Sequence, residues 1–354
     1  MDRQSLSSAA STKISDRRIS LAPMMEVTDR HFRRMLRFLS RDAHLYTEMV
    51  HSRAVLADAR RYLAHMSAEY PLVLQLGGDD PMELEEASRI AVDMGYSEIN
   101  LNCGCPSERV QRGGFGACLM AEPVLVSQIV SAMKKSGASI TVKHRIGIQN
   151  IRTDEEPDYD ALRLFVGALA DAGCERFIVH ARTAILTGLS PAENRSVPPL
   201  RFDLARRLKN DFPHLPFEIN GGIADLETAG ALLEEFDGVM IGRAVRDNPM
   251  LFSGVDRVLS AVRQSPENRA ELTPHDLLHA MIPYVERSPD SAHIVARNLL
   301  NIFHGYPGAR RYRRFLSEEL PDTDHKSVAD LLVEATRYIE KKAERSEEPV
   351  PSSV

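Results

Sequence analysis

Eight short runs rich in β-branched and aliphatic residues recur through most of this 354-residue chain: ISLA (19–22), HLYTEM (44–49), PLVLQL (71–76), EINLN (98–102), SITVK (139–143), RFIVH (176–180), FEIN (217–220) and GVMIG (238–242). Each is strand-like in length and composition. Between them lie stretches with apolar residues at helical spacing, such as DPMELEEASRIAVDMG (80–95), DYDALRLFVGALADAG (158–173) and DLETAGALLEEF (225–236). All three open on Asp, which caps the free N–H groups of a helix, and two close on Gly, which tolerates the left-handed turn after one. Strands that alternate with helices form parallel sheets covered on both faces. Eight such units over roughly 240 residues are the arithmetic of a closed (β/α)8 TIM barrel. A doubly wound open sheet satisfies the same periodicity, because periodicity does not show closure.

The pattern changes near residue 260. Beyond the polar, Pro-flanked segment SAVRQSPENRAELTP (260–274), four helical stretches are expected at 274–287, 291–304, 307–320 and 327–343. Val295, Leu299 and Ile302 recur at helical spacing, enough for one face of a small bundle. The expected organisation is therefore a disordered tail (1–17), a barrel domain (18–259), an all-α helical-bundle domain (260–345) and a second disordered tail (346–354). The formal net charge of −6 argues against a surface that attracts nucleic acid everywhere, but not against a local basic face. Nowhere does an apolar run reach bilayer length, and the N-terminus lacks a secretory core. Four cysteines without framework spacing point to a reducing compartment, the cytoplasm.

A barrel of this type builds its site from the C-terminal ends of its strands. Those positions hold Pro23 and Met24, Glu48, Gln75, Asn100 and Asn102, Lys143 and His144, His180 and Arg182, Asn220, and Gly242 with Arg243. After the seventh run comes INGGI (219–223) and after the eighth IGRAV (241–245). Glycines there let backbone N–H groups approach an anion, where barrels commonly hold a phosphate. Two tight turns are the plainer alternative for either motif, but on consecutive strands they favour a phosphate-bearing cofactor. A cation at Lys143 and an amide at Gln75 suit the polar edge of a reduced flavin; a lysine paired with Glu48 is the structural alternative.

In NLNCGCPSERV (100–110), Cys-x-Cys is a poor half of a metal site, with Cys118 and Cys174 isolated, so no metal is expected. Cys103 fits a small buried core residue. Cys105 lies beyond the strand, is fixed by Pro106, and precedes the glycine-rich QRGGFGACL (111–119), expected to be a mobile loop. A thiol at a barrel mouth can donate a proton to a carbanion.

Taken in order, LAPMMEVTDRHFR, LYTEMV, LQLGG, INLNCGCPSERVQRGGFGACLM, VKHRIGI, VHARTAILTGLSPAENR, INGGI, GVMIGRAVRDNPM and GARRYRRFLSE resemble the tRNA-dihydrouridine synthases, subfamily A, from about residue 18 to residue 320. GCPS is common to that family and GLSPAENR marks the subfamily. The resemblance implies an FMN-dependent barrel with a C-terminal helical domain. It reduces the C5=C6 bond of D-loop uridines (positions 20 and 20a) in tRNA, with NADPH as electron source. It places FMN against Pro23, Met24, Gln75, Lys143, His180, Asn220, Gly221, Gly222, Gly242 and Arg243, and the general acid at Cys105. Hydride passes from reduced FMN to C6 and a proton from Cys105 to C5. Asn102 and Arg195 hold the flipped base.

The tRNA body requires positive charge, which Arg310, Arg311, Arg313 and Arg314 in PGARRYRRFLS, preceded by Arg297, would supply. A solvated arginine face is the alternative from charge alone. Departures from the family pattern fall at Cys103, His144, Thr183, Ile185 and Ala192; of these, His144 is expected to alter the flavin's surroundings. An FMN barrel reducing a free small molecule, or a tRNA-binding chaperone with vestigial enzyme machinery, would share parts of this pattern. The expected partner is tRNA, with neither membrane nor metal, and the expected state a monomer.

Overall fold

The computed structural model describes residues 17–153, 155–266, 270–322 and 328–339; apart from Arg17, the expected tails lie outside it. All eight expected strands are present: β1 (Arg18–Leu21), β2 (His44–His51), β3 (Leu72–Gly77), β4 (Glu98–Cys103), β5 (Ser139–Arg145), β6 (Arg176–His180), β7 (Phe217–Asn220) and β8 (Gly238–Ile241). They pair in parallel as a closed barrel. The seam joins β8 to β1, from Arg18 opposite Gly238 to Leu21 opposite Ile241, which rules out the open sheet. A helix follows each strand: α1 (Arg30–Leu39), α2 (Ser52–Tyr62), α3 (Pro81–Asp93), α4 (Pro123–Lys134), α5 (Tyr159–Asp171), α6 (Phe202–Asp211), α7 (Leu226–Glu235) and α8 (Val255–Arg263).

The caps act as their residue types dictate. Asp80, Asp158 and Asp225 accept from backbone N–H groups in the first turns of α3, α5 and α7. Gly95 and Gly173 take positive φ (102° and 100°) just past α3 and α5. Side chains fill the barrel in layers. Tyr46, Val73, Ile178, Met240 and Ala22 form one apolar cluster. The base is ionic: Arg18 donates to Glu218 (2.9 Å), to both oxygens of Glu98 (2.8 and 2.9 Å) and to the Tyr46 hydroxyl (3.2 Å). Burial opposes both charges, but their proximity prevails, so Arg18 is raised well above its ordinary range and Glu98 is lowered to about 2.

Two compact units divide the chain: residues up to Arg246 with Leu251–Glu271, and Asp247–Met250 with residues from Leu272 onward. The division falls past residue 259 because α8 belongs to the barrel. Val255 and Leu259 are fully buried, and Arg263 donates to Asp42 (2.8 Å) and to the Arg17 carbonyl (2.8 Å).

The second unit contains α9 (Pro274–Arg287), α10 (Ala292–Ala296), α11 (Ala309–Glu319) and α12 (Val328–Ala335), around buried Leu277, Met281, Val295, Leu299, Phe303, Tyr312 and Leu332. The helix expected over 291–304 breaks up. Asn298 Nδ2 donates to the carbonyls of Ile294 (3.3 Å) and Val295 (3.2 Å), in competition with the helix ladder, and α10 gives way to a single 3-10 turn. Residues 340–343 of the last expected helix lie outside the described residues. Among the described residues no helix is long and apolar enough to cross a membrane.

Candidate active site

Above the apolar layer, side-chain amides carry one chain of hydrogen bonds up the barrel interior. Asn102 Nδ2 donates to Gln75 Oε1 (2.9 Å), Gln75 Nε2 to Asn100 Oδ1 (2.8 Å), Asn100 Nδ2 to Thr141 Oγ1 (3.0 Å), and Thr141 to Glu98 (3.3 Å). Every donor points towards the basal carboxylate, and that polarity sets which end of each amide is oxygen. Asn102 Oδ1 is thereby aimed outward, where it accepts from the N–H groups of Gly104 (3.1 Å) and Cys105 (3.0 Å). The residue expected to hold a base thus also builds the cysteine loop. Asn100, grouped with the rim in the sequence, is fully buried in the middle of this chain.

Cys105 is half-buried, its Sγ 3.6 Å from Ser107 Oγ, and its carbonyl accepts from Ala117 N–H (2.9 Å). The loop that follows is seated through Phe115, which is 6% exposed and lies edge-on to His51 at 4.8 Å. A Cβ at Gly77 or Gly113 would stand 2.9 or 2.6 Å from the Phe115 ring, so both glycines are needed for its seat. Cys103 is fully buried, and burial pushes its thiol well up, as befits a core residue. Among the described residues no cluster of His, Cys, Asp or Glu could hold a metal.

Lys143 is half-buried and donates to Asn220 Oδ1 (3.1 Å), whose Nδ2 donates to the Met240 carbonyl (2.8 Å). Burial and the neighbouring Arg145 pull the Lys143 ammonium down to about 7, while Glu218 and Cys105 oppose the shift. Buried His180 is pushed well below its ordinary range by desolvation and by Arg145, Lys143, Arg182 and Arg243. His144 is corrected from the sequence reading. It alternates with Lys143 on the strand, and its ring packs against Phe165 and Phe177, with Nδ1 at 2.7 Å from the Arg145 carbonyl. It belongs to the layer between sheet and helices, not to the site.

The segment 183–198, which carries GLSPAENR, is built from backbone carbonyls. Ala184–Ile185 pairs in parallel with Ile148–Gln149 as a short ribbon that the sequence did not reveal. Fully buried Asn194 exchanges hydrogen bonds with Ile185, accepting from its N–H (2.8 Å) and donating to its carbonyl (2.9 Å). Arg182 donates to the Pro198 and Ser196 carbonyls. Arg195 is half-buried, and desolvation, Arg243 and Arg246 lower its pKa, against an attraction to Cys105. Its carbonyl accepts from exposed Arg243 (2.7 Å).

Gly221 and Gly222 have φ of 119° and 70°. A Cβ at either would stand 2.9 or 2.5 Å from Leu200, and one at Gly221 also 2.9 Å from His180, so the turn admits no side chain. A Cβ at Gly242 would stand 3.2 Å from that of Ala22. Half-buried Pro23 and Met24 follow β1 on the same rim. The residues expected around the cofactor thus come together with Asn102, Cys105 and Arg195 at the C-terminal end of the barrel.

In the helical unit, Arg297, Arg310, Arg311, Arg313 and Arg314 are exposed. Arg314 pairs with Glu318 (2.8 Å) and Arg313 donates to Asn301 (3.4 Å). Sequence reasoning missed Gln111, Arg145 and Asn194. VQRGG, VKHRIGI and GLSPAENR contain them, but their partners are backbone groups, which leave no mark in a sequence.

A parallel barrel whose C-terminal rim gathers a thiol, a chain of amides, several cations and a tight glycine turn has the layout of a (β/α)8-barrel enzyme. The chain belongs to the dihydrouridine synthase (Dus) family, whose model matches residues 20–339. It is 51% identical over 305 residues to a Synechocystis sp. protein named tRNA-dihydrouridine(20/20a) synthase, covering 85% of this chain and 88% of that one. Proteins of the same name from Pseudomonas aeruginosa (47% over 322 residues, 90% and 93% covered) and Escherichia coli K12 (46% over 321 residues, 89% of each) are similar along the same length.

Proposed function

We propose that this protein is an FMN-binding, NADPH-dependent tRNA-dihydrouridine synthase that reduces the C5=C6 bond of D-loop uridines, at the positions 20 and 20a that its relatives' names specify. The observation that carries the reading is Cys105, held by Asn102 over a rim that Lys143, Arg145 and Arg195 make electropositive.

The rim fits a phosphorylated flavin. The Gly221–Gly222 turn, Gly242 and Arg243 suit its phosphate; Gln75, Lys143, His180 and Asn220 suit its polar ring edge, with Pro23 and Met24 beside it. A flavin bound there supplies hydride chemistry, with NADPH as the source of electrons. Uracil is an acceptor at C6 because its C4 carbonyl conjugates with the C5=C6 bond. Reduction leaves negative charge shared between the C4 oxygen and C5, and Cys105 delivers a proton to C5. Lys143, Arg145 and Arg195, each of which is attracted to Cys105, gather positive charge around its sulfur. His180, kept neutral, serves as a hydrogen-bonding group. Asn102 and Arg195 orient the base, which must leave its stack to reach the barrel mouth. Arg297, Arg310, Arg313 and Arg314 contact the tRNA phosphates. The setting is the cytoplasm and the working form a monomer.

Anaerobic reoxidation tests this. Protein reduced with NADPH is mixed with unmodified tRNA or with free uridine, and flavin absorbance is followed. Rapid reoxidation by tRNA alone is expected, whereas reoxidation by uridine with tRNA inert would make the protein a small-molecule reductase. Cys105→Ala should keep flavin and tRNA binding but lose about 10²–10⁴-fold in turnover; undiminished turnover would remove the thiol from its role.

A further inference from the structure

Both peptide carbonyls that flank Cys105 are tied to the 183–198 segment. On one side, Arg145 Nε donates to the Gly104 carbonyl (3.1 Å), while its NH1 donates to the carbonyls of Asn194 (3.0 Å) and Thr183 (3.4 Å). On the other, the Gln111 side-chain NH2 spends both hydrogens on two loops at once, donating to the Pro106 carbonyl (2.7 Å) and to the Leu186 carbonyl (2.8 Å). Cys105 is thus staked fore and aft to the segment that presents Arg195.

The two stakes differ in what they contribute. Arg145 is 3% exposed, and among the described residues no carboxylate pairs with it; desolvation lowers it to about 9. It therefore adds charge to the rim as well as a tie. Gln111 is half-buried, neutral and set on the short helix Glu108–Arg112. Its two hydrogen bonds leave it one service, to hold the thiol loop in register with the other loop.

We propose that Gln111 is a positioning residue for the reaction, fixing the distance between the Cys105 thiol and the base-orienting Arg195 by cross-linking their loops through the Pro106 and Leu186 carbonyls. This rests on the reading of Cys105 as proton donor. A base seated by Arg195 then finds the thiol already aligned, and a shift of the 183–198 segment carries the proton donor with it. Misplacing a reacting group by a fraction of its contact distance is enough to slow a transfer severely.

The test uses full-length holoenzyme with Gln111→Leu, which removes both donors at similar volume, and Gln111→Glu, which keeps the shape but cannot donate when ionised. Two readouts are taken. Iodoacetamide labelling of Cys105, mapped by mass spectrometry, reports on the tie without any tRNA. Single-turnover reoxidation by tRNA reports on alignment. In both variants, Cys105 labelling should accelerate severalfold, and reoxidation should slow by about tenfold or more with the tRNA dissociation constant little changed. Labelling at the wild-type rate in a folded Gln111→Glu protein would overturn the proposal, as would normal reoxidation in either variant. Should wild-type protein fail to react with tRNA while the variants label faster, the functional reading falls and the tie between the loops stands.

Discussion

Burial and Arg145 lower the Lys143 ammonium to about 7, against Glu218 and Cys105, which hold it up. In the folded protein this lysine therefore sheds its proton near neutrality, whereas unfolded it keeps the proton to its ordinary 10.5. The sign follows: the burial penalty is present in full below about 7 and is relieved as the pH climbs towards 10.5. A ligand that places negative charge beside Lys143 reverses the shift and takes up a proton on binding. On the proposed function, the affinity of flavin-free protein for FMN should accordingly weaken as pH rises past about 7, by up to about tenfold per unit. Fluorescence titrations at several pH values check this. Riboflavin serves as the control for the phosphate's own ionisation, and Lys143→Met should flatten the profile; an unchanged slope in that variant would place the charge elsewhere.

At the scale of elements, the glycine turn after β7 makes a strict demand on sequence. Gly222 has φ of 70°, and a Cβ there would lie 2.5 Å from Leu200. Gly222→Ala should cost about 1–2 kcal/mol from the left-handed backbone alone, and, at the proposed flavin site, displacing Leu200 should also lower flavin content. Thermal unfolding and bound-flavin content measure the two effects separately. INGGI was legible in the sequence because glycine pairs announce such turns, as the eight apolar runs announce strands and Asp80, Asp158 and Asp225 announce helix starts. The alternation along SITVKHR carries the further information that His144 faces away from Lys143. What stays hidden is contact made through backbone: the bridges of Gln111 and Arg145 and the ribbon at 148–149 and 184–185 end on carbonyls that every residue possesses. The fragmentation of 291–304 has a related cause, since Asn298 turns its amide on its own helix.

At the scale of the barrel, Arg18 binds carboxylates from strands far apart in the chain, Glu98 on β4 and Glu218 on β7. Removing one member of a buried ionic set leaves the others charged and unpaired, so Arg18→Met should destabilise the protein by about 3–5 kcal/mol in urea denaturation. Glu98 sets the pH dependence. Its folded value near 2 lies below its ordinary 4.5, so its stabilisation is complete above about 4.5 and is lost as the pH falls towards 2. Wild-type protein should lose stability across that window, and the Arg18→Met variant should lose much less of it; parallel curves for the two would remove Glu98 from the base of the barrel.

The seam that pairs Arg18 with Gly238 also orders events during synthesis. A ribosome presents β1 first and β8 last among the strands, and at about 5–20 residues per second the first strand waits on the order of ten seconds or more for its closing neighbour. Until then the sheet cannot close, and Glu98 is synthesised well before Glu218. The residue that completes the ion cluster is therefore translated just ahead of the strand that closes the ring, so charge neutralisation and closure come due almost together.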